Sequence, residues 1–334
     1  MSRNAYFLTG ALGCIGAWIV KALVERGDVP TVFDRTDDRR RLRAILDDGQ
    51  LETVRFLQGD ITDGAAVRRA METSGARRVV HLAGLQVPTC RVDPVAGALV
   101  NVVGTLHVFE AARALGVGHI VYASSAAVFG LSDEAADESV VPAPLTHYGV
   151  FKQANEGAAR VFYADHGLSS VGLRPYSVYG VGRDAGITSD PTRAMKAALL
   201  GRPFRIRFSG TTDFIYVADT AAAFIACADR APDGAHVFNL HGDTREVHEA
   251  VGLIEAELGA GTRGLIRVDG GPIPMPPALD DARLRAMIPG LPRTRLEDGI
   301  RETLRRFAAL REAGRLDTSD IDGETAPAGV PSRP

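Results

Sequence analysis

Hydrophobic and polar positions in the first half of the chain alternate between short apolar runs and longer amphipathic stretches. The apolar runs are typical of strands that are buried on both faces, and the stretches between them are typical of helices. The predicted strands are 5–8, 31–33, 54–61, 78–82, 120–125 and 168–174. Because strands and helices alternate at this spacing, the sequence predicts an α/β fold with a doubly wound parallel sheet.

Beyond residue 174 the pattern is less regular. Residues 175–183 are predicted to form a loop over the carboxyl ends of the strands, and a Pro-rich loop is predicted at 272–277. The further predicted elements are helices near 190–200, 219–229 and 295–312, another helix after 244, and strands at 204–208, 236–240 and 264–268.

This pattern divides the chain into two lobes and a tail. We predict that residues 1–174 form the sheet domain, completed by about 213–240, and that 175–212 and 241–316 form a smaller, mainly C-terminal lobe. Residues 317–334 are rich in Gly, Pro, Ser and Thr without apolar periodicity, so we predict a disordered tail.

A glycine-rich turn joins the first predicted strand to the first helix. Gly10, Gly13 and Gly16 let the backbone turn tightly and approach a pyrophosphate at the helix N-terminus. The second strand ends in Asp34, where an acid binds the hydroxyls of an adenosine ribose. Since a carboxylate repels a 2′-phosphate, the sequence favours NAD, while Arg35 keeps NADP as an alternative.

Residues suited to ligand binding recur where the predicted strands end. In a doubly wound sheet, ligands bind beyond the carboxyl ends of the strands. The residues at these ends are Gly10, Asp34, Asp60, Gly84 and Ser125. Their agreement indicates one binding crevice more strongly than any single motif does.

Tyr148 and Lys152 lie four residues apart on the helix that follows the fifth strand, so they share one face of it. A cation one turn from a phenol lowers a pKa that is otherwise about 10, which makes tyrosine a usable base. Ser125 reaches the same crevice and can hydrogen-bond the oxygen that Tyr148 deprotonates. We expect one of Ser124 and Ser125 only to cap the strand end, and we expect His81 to be a buried core histidine.

Composition excludes several classes of protein. The 334 residues are 46% hydrophobic and 24% charged, as in a soluble globular protein, and the net charge of −3 does not favour nucleic acid or a membrane as partner. The arginines within 39–43 are expected to form a solvated helix face. Cys14, Cys90 and Cys227 are too widely spaced for a disulfide framework or a metal site. No signal peptide and no membrane-spanning run is predicted, so we expect a cytoplasmic protein.

Several motifs resemble one family when they are taken together and in order. They are Thr9-Gly-Ala-Leu-Gly-Cys-Ile-Gly16, Asp34, Gly59-Asp60-Ile61, His81-Leu-Ala-Gly84, Asn101-Val-Val-Gly-Thr105, Ser124-Ser-Ala-Ala-Val-Phe-Gly130, Tyr148-Gly-Val-Phe-Lys152 and Leu173-Arg-Pro175. The set resembles the extended short-chain dehydrogenases/reductases, in particular the NAD-dependent epimerase/dehydratase branch typified by UDP-galactose 4-epimerase. The resemblance runs from about residue 5 to 240.

The resemblance implies a Rossmann domain with a substrate lobe, a retained NAD and a catalytic set of Ser125, Tyr148 and Lys152, with Tyr148 as base and Lys152 on the nicotinamide ribose. The cofactor contacts that we infer are Gly10, Gly13, Cys14, Ile15, Gly16, Asp34, Arg35, Asp60, Ile61, Leu82, Ala83, Gly84, Asn101, Tyr148, Lys152 and Pro175. The substrate contacts that we infer are Gln86, Ser125, Ala126, Tyr148, Tyr176 and Ser177. The resemblance also implies a homodimer, formed through the helices near 97–115 and 148–166.

The chain departs from the family pattern at positions that matter for the substrate. Ala126 and Ala127 stand where 4,6-dehydratases carry an acid–base pair, so dehydration is not expected. Thr212 stands where many nucleotide-sugar enzymes have an arginine for the diphosphate, and Ser177 where an asparagine is common. Loss of a fork-shaped cation is not a conservative change. The arginines that could replace it are Arg183, Arg205 and Arg207.

Three functions follow from these residues. The first is a sugar or nucleotide-sugar epimerase, in which Tyr148 removes a carbinol proton, hydride passes to NAD and then returns to the other face. The second is a net dehydrogenase of a free sugar, an aldonic or uronic acid or a polyol, which Thr212, Ser177 and the Pro-Leu-Thr-x-Tyr-Gly run at 144–149 favour. The third is a non-catalytic dinucleotide sensor, which the intact catalytic set disfavours. The sequence does not specify the substrate.

Overall fold

The apolar runs of the sequence form strands in the computed structural model, which describes residues 4–322. The strands are β1 (Ala5–Thr9), β2 (Val29–Asp34), β3 (Arg55–Gln58), β4 (Arg78–His81), β5 (His119–Ala123), β6 (Ser169–Arg174), β7 (Ser177–Tyr179), β8 (Phe204–Ile206), β9 (Thr211–Tyr216), β10 (Ala235–Asn239), β11 (Asp243–Glu246) and β12 (Ile266–Val268).

The helices pack on both faces of the strands and build most of the second lobe. They are α1 (Cys14–Glu25), α2 (Arg40–Arg43), α3 (Asp48–Glu52), α4 (Gly64–Ser74), α5 (Val87–Val92), α6 (Pro94–Ala98), α7 (Gly104–Ala114), α8 (His147–His166), α9 (Asp190–Leu199), α10 (Val217–Arg230), α11 (Val247–Leu258), α12 (Ala282–Met287) and α13 (Leu296–Glu312). A π-helical segment, Leu99–Val103, joins α6 to α7.

Seven parallel strands form the central sheet in the order β10-β6-β5-β4-β1-β2-β3. The chain starts in the middle, runs to one edge and returns to build the other half, so the strand order reverses between β1 and β4. Thr9 at the end of β1 pairs with Phe33 of β2 and with His81 of β4. The loops after these strands therefore emerge side by side. The predicted doubly wound Rossmann fold is confirmed.

The sheet separates two hydrophobic clusters, because side chains alternate along each strand. On one face Tyr6 and Leu8 of β1 pack with Trp18 of α1 and Phe224 of α10. On the other face Phe7 packs with side chains of α4 and α7. Complete burial of one such side chain stabilises the fold by roughly 1.5–3 kcal/mol. Both faces are thus covered, which fixes the loops at the carboxyl edge.

The second lobe is built on two small sheets. In one, β9 lies between β7, which is parallel to it, and β11, which is antiparallel. In the other, β8 pairs with β12. The predicted loop 175–183 thus contains a short buried strand, since Val178 packs into the core. Residues 211–216 belong to the small sheet. Of the predicted segment 213–240, β10 joins the central sheet and α10 packs against it.

The first part of the predicted disordered tail is ordered. Lys196 of α9 donates to the carbonyl of Asp317 (2.9 Å) and to the carboxylate of Asp320 (2.6 Å), and Ile321 is buried. The buried ammonium of Lys196 needs acceptors, and residues 317–322 supply them. The prediction for 317–322 was therefore wrong. Residues 323–334 lie outside the described residues.

One helical stretch, Pro94–Ala114, has the length and apolar character of a membrane span, with a mean hydropathy of 1.5. The prediction was that no run spans a membrane, and length and composition do not test it. Val108, Phe109 and Ala112 in this stretch are buried in the second hydrophobic cluster. A helix that lies in the core of a soluble protein has the same length and composition.

Candidate active site

A cavity of about 500 Å³ runs along the carboxyl edge of the sheet. It brings together nearly all of the residues inferred from the sequence to contact cofactor or substrate. Those that line it are Gly10, Gly13, Cys14, Ile15, Gly16, Asp34, Arg35, Asp60, Ile61, Leu82, Ala83, Gly84, Gln86, Ser125, Ala126, Tyr148, Lys152, Pro175 and Tyr176. Asn101 and Ser177 do not line it.

The glycine turn forms one wall of the cavity. Gly10 has a φ of +68°, and a Cβ there would lie 2.5 Å from the backbone nitrogen of Ala83. A Cβ on Gly16 would lie 2.4 Å from the Cα of Ala11. Only glycine allows this close packing. Gly13 precedes α1 and offers no side-chain cap, so the first N–H groups of α1 face the cavity and fit the pyrophosphate of a dinucleotide.

Asp34 lies at the adenosine end of the cavity. Its carboxylate accepts hydrogen bonds from the backbone nitrogens of Leu12 (3.2 Å) and Arg35 (2.8 Å). Burial raises the pKa of Asp34, whereas these backbone donors and the Arg35 charge lower it. The carboxylate is held rigidly at the end of β2, which is the position that suits ribose hydroxyls.

Ser125, Tyr148 and Lys152 meet at the opposite end of the cavity. Ser125 Oγ accepts from the nitrogen of Ala127 (3.1 Å), and the Ser125 hydroxyl acts to lower the pKa of Tyr148. Lys152 Nζ donates to the carbonyl of Ala123 (2.6 Å) and lies 5.5 Å from the centre of the Tyr148 ring. The fifth strand and α8 therefore deliver a hydroxyl, a phenol and an ammonium to one place.

Gly149 allows this convergence. A Cβ at this position would lie 2.1 Å from the carbonyl oxygen of Ala127. The first turn of α8 thus packs directly against the turn that follows Ser125. Thr146 caps the helix by accepting from the nitrogen of Gly149 at 3.0 Å.

The pKa values of Tyr148 and Lys152 are shifted by other groups than the sequence predicted. Burial raises the pKa of Tyr148, and the groups that lower it are Ser125 and Arg183. Burial lowers the pKa of Lys152 to about 8. The sequence predicted that Lys152 itself would lower the pKa of the tyrosine. In the structure, the ammonium is directed at the carbonyl of Ala123 instead.

A buried ion pair between β6 and α8 lies next to the catalytic end of the cavity. Arg174 of β6 donates from Nε (2.8 Å) and Nη2 (2.7 Å) to the carboxylate of Glu156, which lies one turn beyond Lys152. Ser124 also donates to Glu156. Ser124 therefore ties β5 to α8, as expected for the serine of the two that has a structural role. Both carboxylate oxygens of Glu156 accept from this guanidinium, while Arg174 Nη1 is buried without a hydrogen-bond partner. The pair ties α8 to β6.

Asn101 acts indirectly on the cavity. It is completely buried, and its side chain accepts from the nitrogen of Leu85 (2.8 Å) and donates to the carbonyl of the same residue (3.0 Å). The inferred contact between Asn101 and the cofactor was wrong, because both polar atoms of the Asn101 amide bond to the backbone of Leu85 in the loop after β4. A Cβ on Gly84 would lie 2.7 Å from Asn101 Oδ1, so this loop and Asn101 pack without a gap.

Ser177 and Thr212 bond to each other. Their hydroxyl oxygens are 2.8 Å apart and both residues are buried. The inference that Ser177 contacts substrate was wrong, since its side chain faces β9 and not the cavity.

His81 is a core histidine, as predicted. Its ring nitrogens lie 2.6 Å from Thr9 Oγ1 and 2.9 Å from Thr105 Oγ1. Burial lowers its pKa to about 3, so it stays neutral at physiological pH. In residues 4–322 no three His, Cys, Asp or Glu side chains are grouped to hold a metal ion.

The sequence prediction missed Arg41 and residues 273–275, which line the cavity, and it named Arg183, which also lines it, as one of three arginines that could meet an anionic group. Arg41 was assigned to a solvated helix face, but it bonds to Asp184 and to the carbonyl of Leu12 (2.9 Å). One arginine of a consecutive run turned inwards, and the pattern does not reveal which. Residues 273–275 belong to the Pro-rich loop, whose place over the cavity depends on the second lobe.

Fold and site together define an NAD-dependent enzyme of the extended short-chain dehydrogenase/reductase type. A model of the NAD dependent epimerase/dehydratase family matches residues 6–240, and the chain belongs to this family. The predicted family and the predicted cofactor, NAD, are confirmed.

Relatives of known structure and activity lie in the same family. The UDP-glucose 4-epimerase of Rhizobium meliloti (strain 1021) is 29% identical over 279 residues, which is 76% of this chain and 82% of the relative. The structure of Thermus thermophilus UDP-glucose 4-epimerase with NAD has a TM-score of 0.77 at 26% identity and covers 91% of this chain and 98% of that one. MoeE5 in complex with UDP-glucuronic acid and NAD has a TM-score of 0.78 at 29% identity, covering 92% and 99%.

Proposed function

We propose that this protein is an epimerase that inverts a carbinol of a sugar or nucleotide sugar with NAD as a retained cofactor. The observation that carries the proposal is the meeting of Ser125, Tyr148 and Lys152 at one end of a cavity whose other end holds Asp34. The relatives that are UDP-glucose 4-epimerases support it.

The glycine turn and Asp34 would hold the pyrophosphate and the adenosine ribose of NAD, and Lys152 would hold the nicotinamide ribose. When bound, NAD supplies a hydride acceptor that can later return the hydride. Ser125 and Tyr148 hydrogen-bond the carbinol oxygen of the substrate. Tyr148 acts as base in its phenolate form, which burial disfavours and which Ser125 and Arg183 favour. It accepts the proton of that oxygen and returns it once the substrate has turned its other face.

Dehydration is excluded from the proposal. Ala126, the residue after Ser125, is buried with its backbone nitrogen bonded to the carbonyl of Pro175 (3.1 Å), and Ala127 follows it. Neither position carries an acid or base that could remove a hydroxyl group as water.

A second candidate is net dehydrogenation of a free sugar, an aldonic or uronic acid or a polyol. The observation that favours it is the buried bond between Ser177 and Thr212, where many nucleotide-sugar enzymes present polar contacts to the diphosphate. Arg205 and Arg207 do not compensate. They bond to Asp269 and Asp190, and neither lines the cavity.

A substrate panel distinguishes the two candidates. Purified protein is incubated with UDP-sugars, free sugars and sugar acids, with and without added NAD. Product isomers without net NADH support the epimerase, and stoichiometric NADH absorbance supports the dehydrogenase. Tyr148→Phe should lower turnover by roughly 10²–10⁴-fold with NAD binding preserved. Unchanged turnover in this variant would refute the assignment of Tyr148 as base.

We further propose that the protein forms a homodimer through α5, α6 and α8. Apolar side chains on these helices are exposed, among them Val92 (88%), Val95 (69%) and Val161 (57%). A second copy of the same face would cover them, whereas isolated exposure of this extent is unfavourable. Light scattering should give twice the chain mass, and Val161→Asp should halve it. A monomer at all concentrations would contradict the proposal.

A further inference from the structure

The second lobe lines the cavity largely with side chains that carry no hydrogen-bond donor. These side chains, which we call the apolar wall, are Val178, Ile187, Ile273, Pro274 and Met275. A sugar carries hydroxyl groups on most of its carbons, and a buried hydroxyl without a partner is unfavourable. The part of the substrate that meets the apolar wall should therefore lack hydroxyl groups.

The Pro-rich loop, which supplies three residues of the apolar wall, is tied to the catalytic end of the cavity. The carbonyl of Pro175 accepts from the nitrogen of Ala126 (3.1 Å), and Ala126 directly follows Ser125. The next residue, Tyr176, donates from its hydroxyl to the carbonyl of Pro276 in the Pro-rich loop (2.8 Å). Two hydrogen bonds thus connect this loop to the turn that holds the catalytic serine.

Polar groups next to the apolar wall are bonded within the protein. Arg183 Nη2 donates to Thr188 Oγ1 at 2.8 Å, so this hydroxyl already has a partner. In the Pro-rich loop, Pro274 has no N–H, and the nitrogen of Met275 donates to the carbonyl of Ile273 (2.8 Å). A diphosphate binds where several N–H groups or cations converge. The Pro-rich loop does not offer such an array.

Two apolar side chains that line the cavity are exposed to solvent. Leu145, three residues before Tyr148, is 60% exposed, and Ile187 is 45% exposed. Ile187 follows Gly186, where a Cβ would lie 2.1 Å from Gln86 Oε1, so it borders the loop after β4. Exposed apolar side chains beside a cavity are typical of a ligand-binding groove, because an apolar ligand removes them from water.

We propose that the substrate is a sugar with an apolar substituent, an alkyl, acyl or aryl group, which lies against the apolar wall while the carbinol lies at Ser125 and Tyr148. Such a substituent contributes to affinity in proportion to the apolar area that it buries. The hydroxyl groups of the sugar would face polar side chains of the first lobe, such as Gln86. The inference rests on the proposed function and names its substrate class.

Alkyl glycosides of increasing chain length test the inference. Methyl, butyl and hexyl β-glucosides and β-galactosides share their carbinols and differ within each series only in the apolar group. They are titrated calorimetrically into the Tyr148→Phe protein loaded with NAD. From methyl to hexyl the affinity should rise by about tenfold or more, because each fully buried methylene contributes roughly fourfold.

Polar substitutions in the apolar wall should reduce this dependence on chain length. Ile273→Thr and Met275→Gln keep the approximate size of the side chain and add hydrogen-bonding groups. Each should lower the ratio of hexyl to methyl affinity by about threefold or more, and leave the methyl glycoside within about twofold. Val141→Thr is the matched control, since Val141 is exposed and does not line the cavity. An unchanged ratio in the double variant Ile273→Thr/Met275→Gln would overturn the proposal.

UDP-glucose and UDP-galactose are titrated in parallel, because the apolar wall could instead face a nucleoside. If they bind more tightly than the hexyl glycosides and the double variant weakens them, the wall serves the nucleoside and the proposal is overturned. Affinity that does not change with chain length, or no binding of any glycoside, also refutes it. A rise with chain length but no turnover in the wild type supports this inference and contradicts the epimerase, whereas turnover without such a rise does the reverse.

Discussion

Asp184 accepts two hydrogen bonds from the guanidinium of Arg41, at 3.0 Å from Nε and 2.7 Å from Nη2. The same guanidinium donates to the carbonyls of Leu12 in the glycine turn and Gly182. Arg41 thus joins α2, the glycine turn and the loop after β7 across the cavity. Both side chains are less than one fifth exposed, at 19% and 15%, so water screens the pair only in part.

We expect the Arg41–Asp184 pair, here called the clasp, to slow the release of NAD. Asp184→Asn or Arg41→Met removes the charge-assisted pair, which contributes about 1.5–3 kcal/mol, and should therefore speed dissociation of NAD by about tenfold or more. Stopped-flow fluorescence measures the rate. Arg202→Met, which breaks an exposed pair with Asp322, serves as control. An unchanged dissociation rate in both clasp variants would show that cofactor retention has another cause.

Asp34 should determine the choice of dinucleotide. In Asp34→Asn the negative charge that repels a 2′-phosphate is lost, while the remaining oxygen can still accept one of the two hydrogen bonds that Leu12 and Arg35 donate to Asp34. We expect the ratio of NADP to NAD affinity to rise by about tenfold or more, as fluorescence titration can show. Asp37→Asn, on the exposed loop nearby, should not change the ratio. A ratio that stays constant in Asp34→Asn would contradict the ribose assignment.

Gly149→Ala should damage the active site through a single methyl group. The new Cβ would lie 2.1 Å from the Ala127 carbonyl, so α8 must move away from the turn that holds Ser125. Displacement of reacting groups by about 1 Å costs roughly 10²-fold in rate. Gly157→Ala on the same helix has only Arg160 within 4 Å and should raise stability by about 0.5–1 kcal/mol. Activity and melting temperature of the two variants are compared; equal activity would exclude the tight packing at Gly149.

His241 gives the second lobe a stability that depends on pH. Its Nδ1 lies 2.7 Å from the buried carboxylate of Asp213, and the hydrogen bond with Asp213 raises its pKa. A raised pKa in the folded state means that the charged pair contributes fully below the unfolded value of about 6.5, and that this contribution is lost as pH rises through the folded value.

His241→Gln should accordingly lower the melting temperature most at pH 5.5 to 6.5, by a few degrees, and less at pH 9. His248→Gln, at an exposed position of α11, is the matched control and should leave the melting temperature close to that of the wild type. Scanning calorimetry across this range decides the question. A difference between His241→Gln and the wild type that grows with pH would have the wrong sign and would exclude the ion pair.

The sequence predicts the part of the site that local pattern determines. The glycine turn, Asp34 and Tyr148 follow strand ends or helix starts, and a parallel sheet places all such positions along one edge. Arg41 and Asp184 are 143 positions apart. Their meeting depends on how the second lobe packs against the first, which no periodicity encodes.

The errors have a similar physical origin. Ser177 and Asn101 carry polar side chains near strand ends, but Ser177 bonds to Thr212 and Asn101 to the backbone of Leu85. Whether a polar group near a crevice faces the ligand or a neighbouring element depends on its rotamer and its partners. Ile321, a single apolar residue in a polar segment, docks into the core without leaving a periodic pattern.

The Glu156–Arg174 pair has a consequence for how such an enzyme can change during evolution. It secures the catalytic helix to the core of the sheet, whereas Arg183 and residues 273–275 reach the cavity from loops of the second lobe. Substitutions in those loops can redirect the protein to a new metabolite while the proton-transfer apparatus stays intact. Proteins that keep the Glu156–Arg174 pair can therefore change substrate by single substitutions in those loops without losing the catalytic residues.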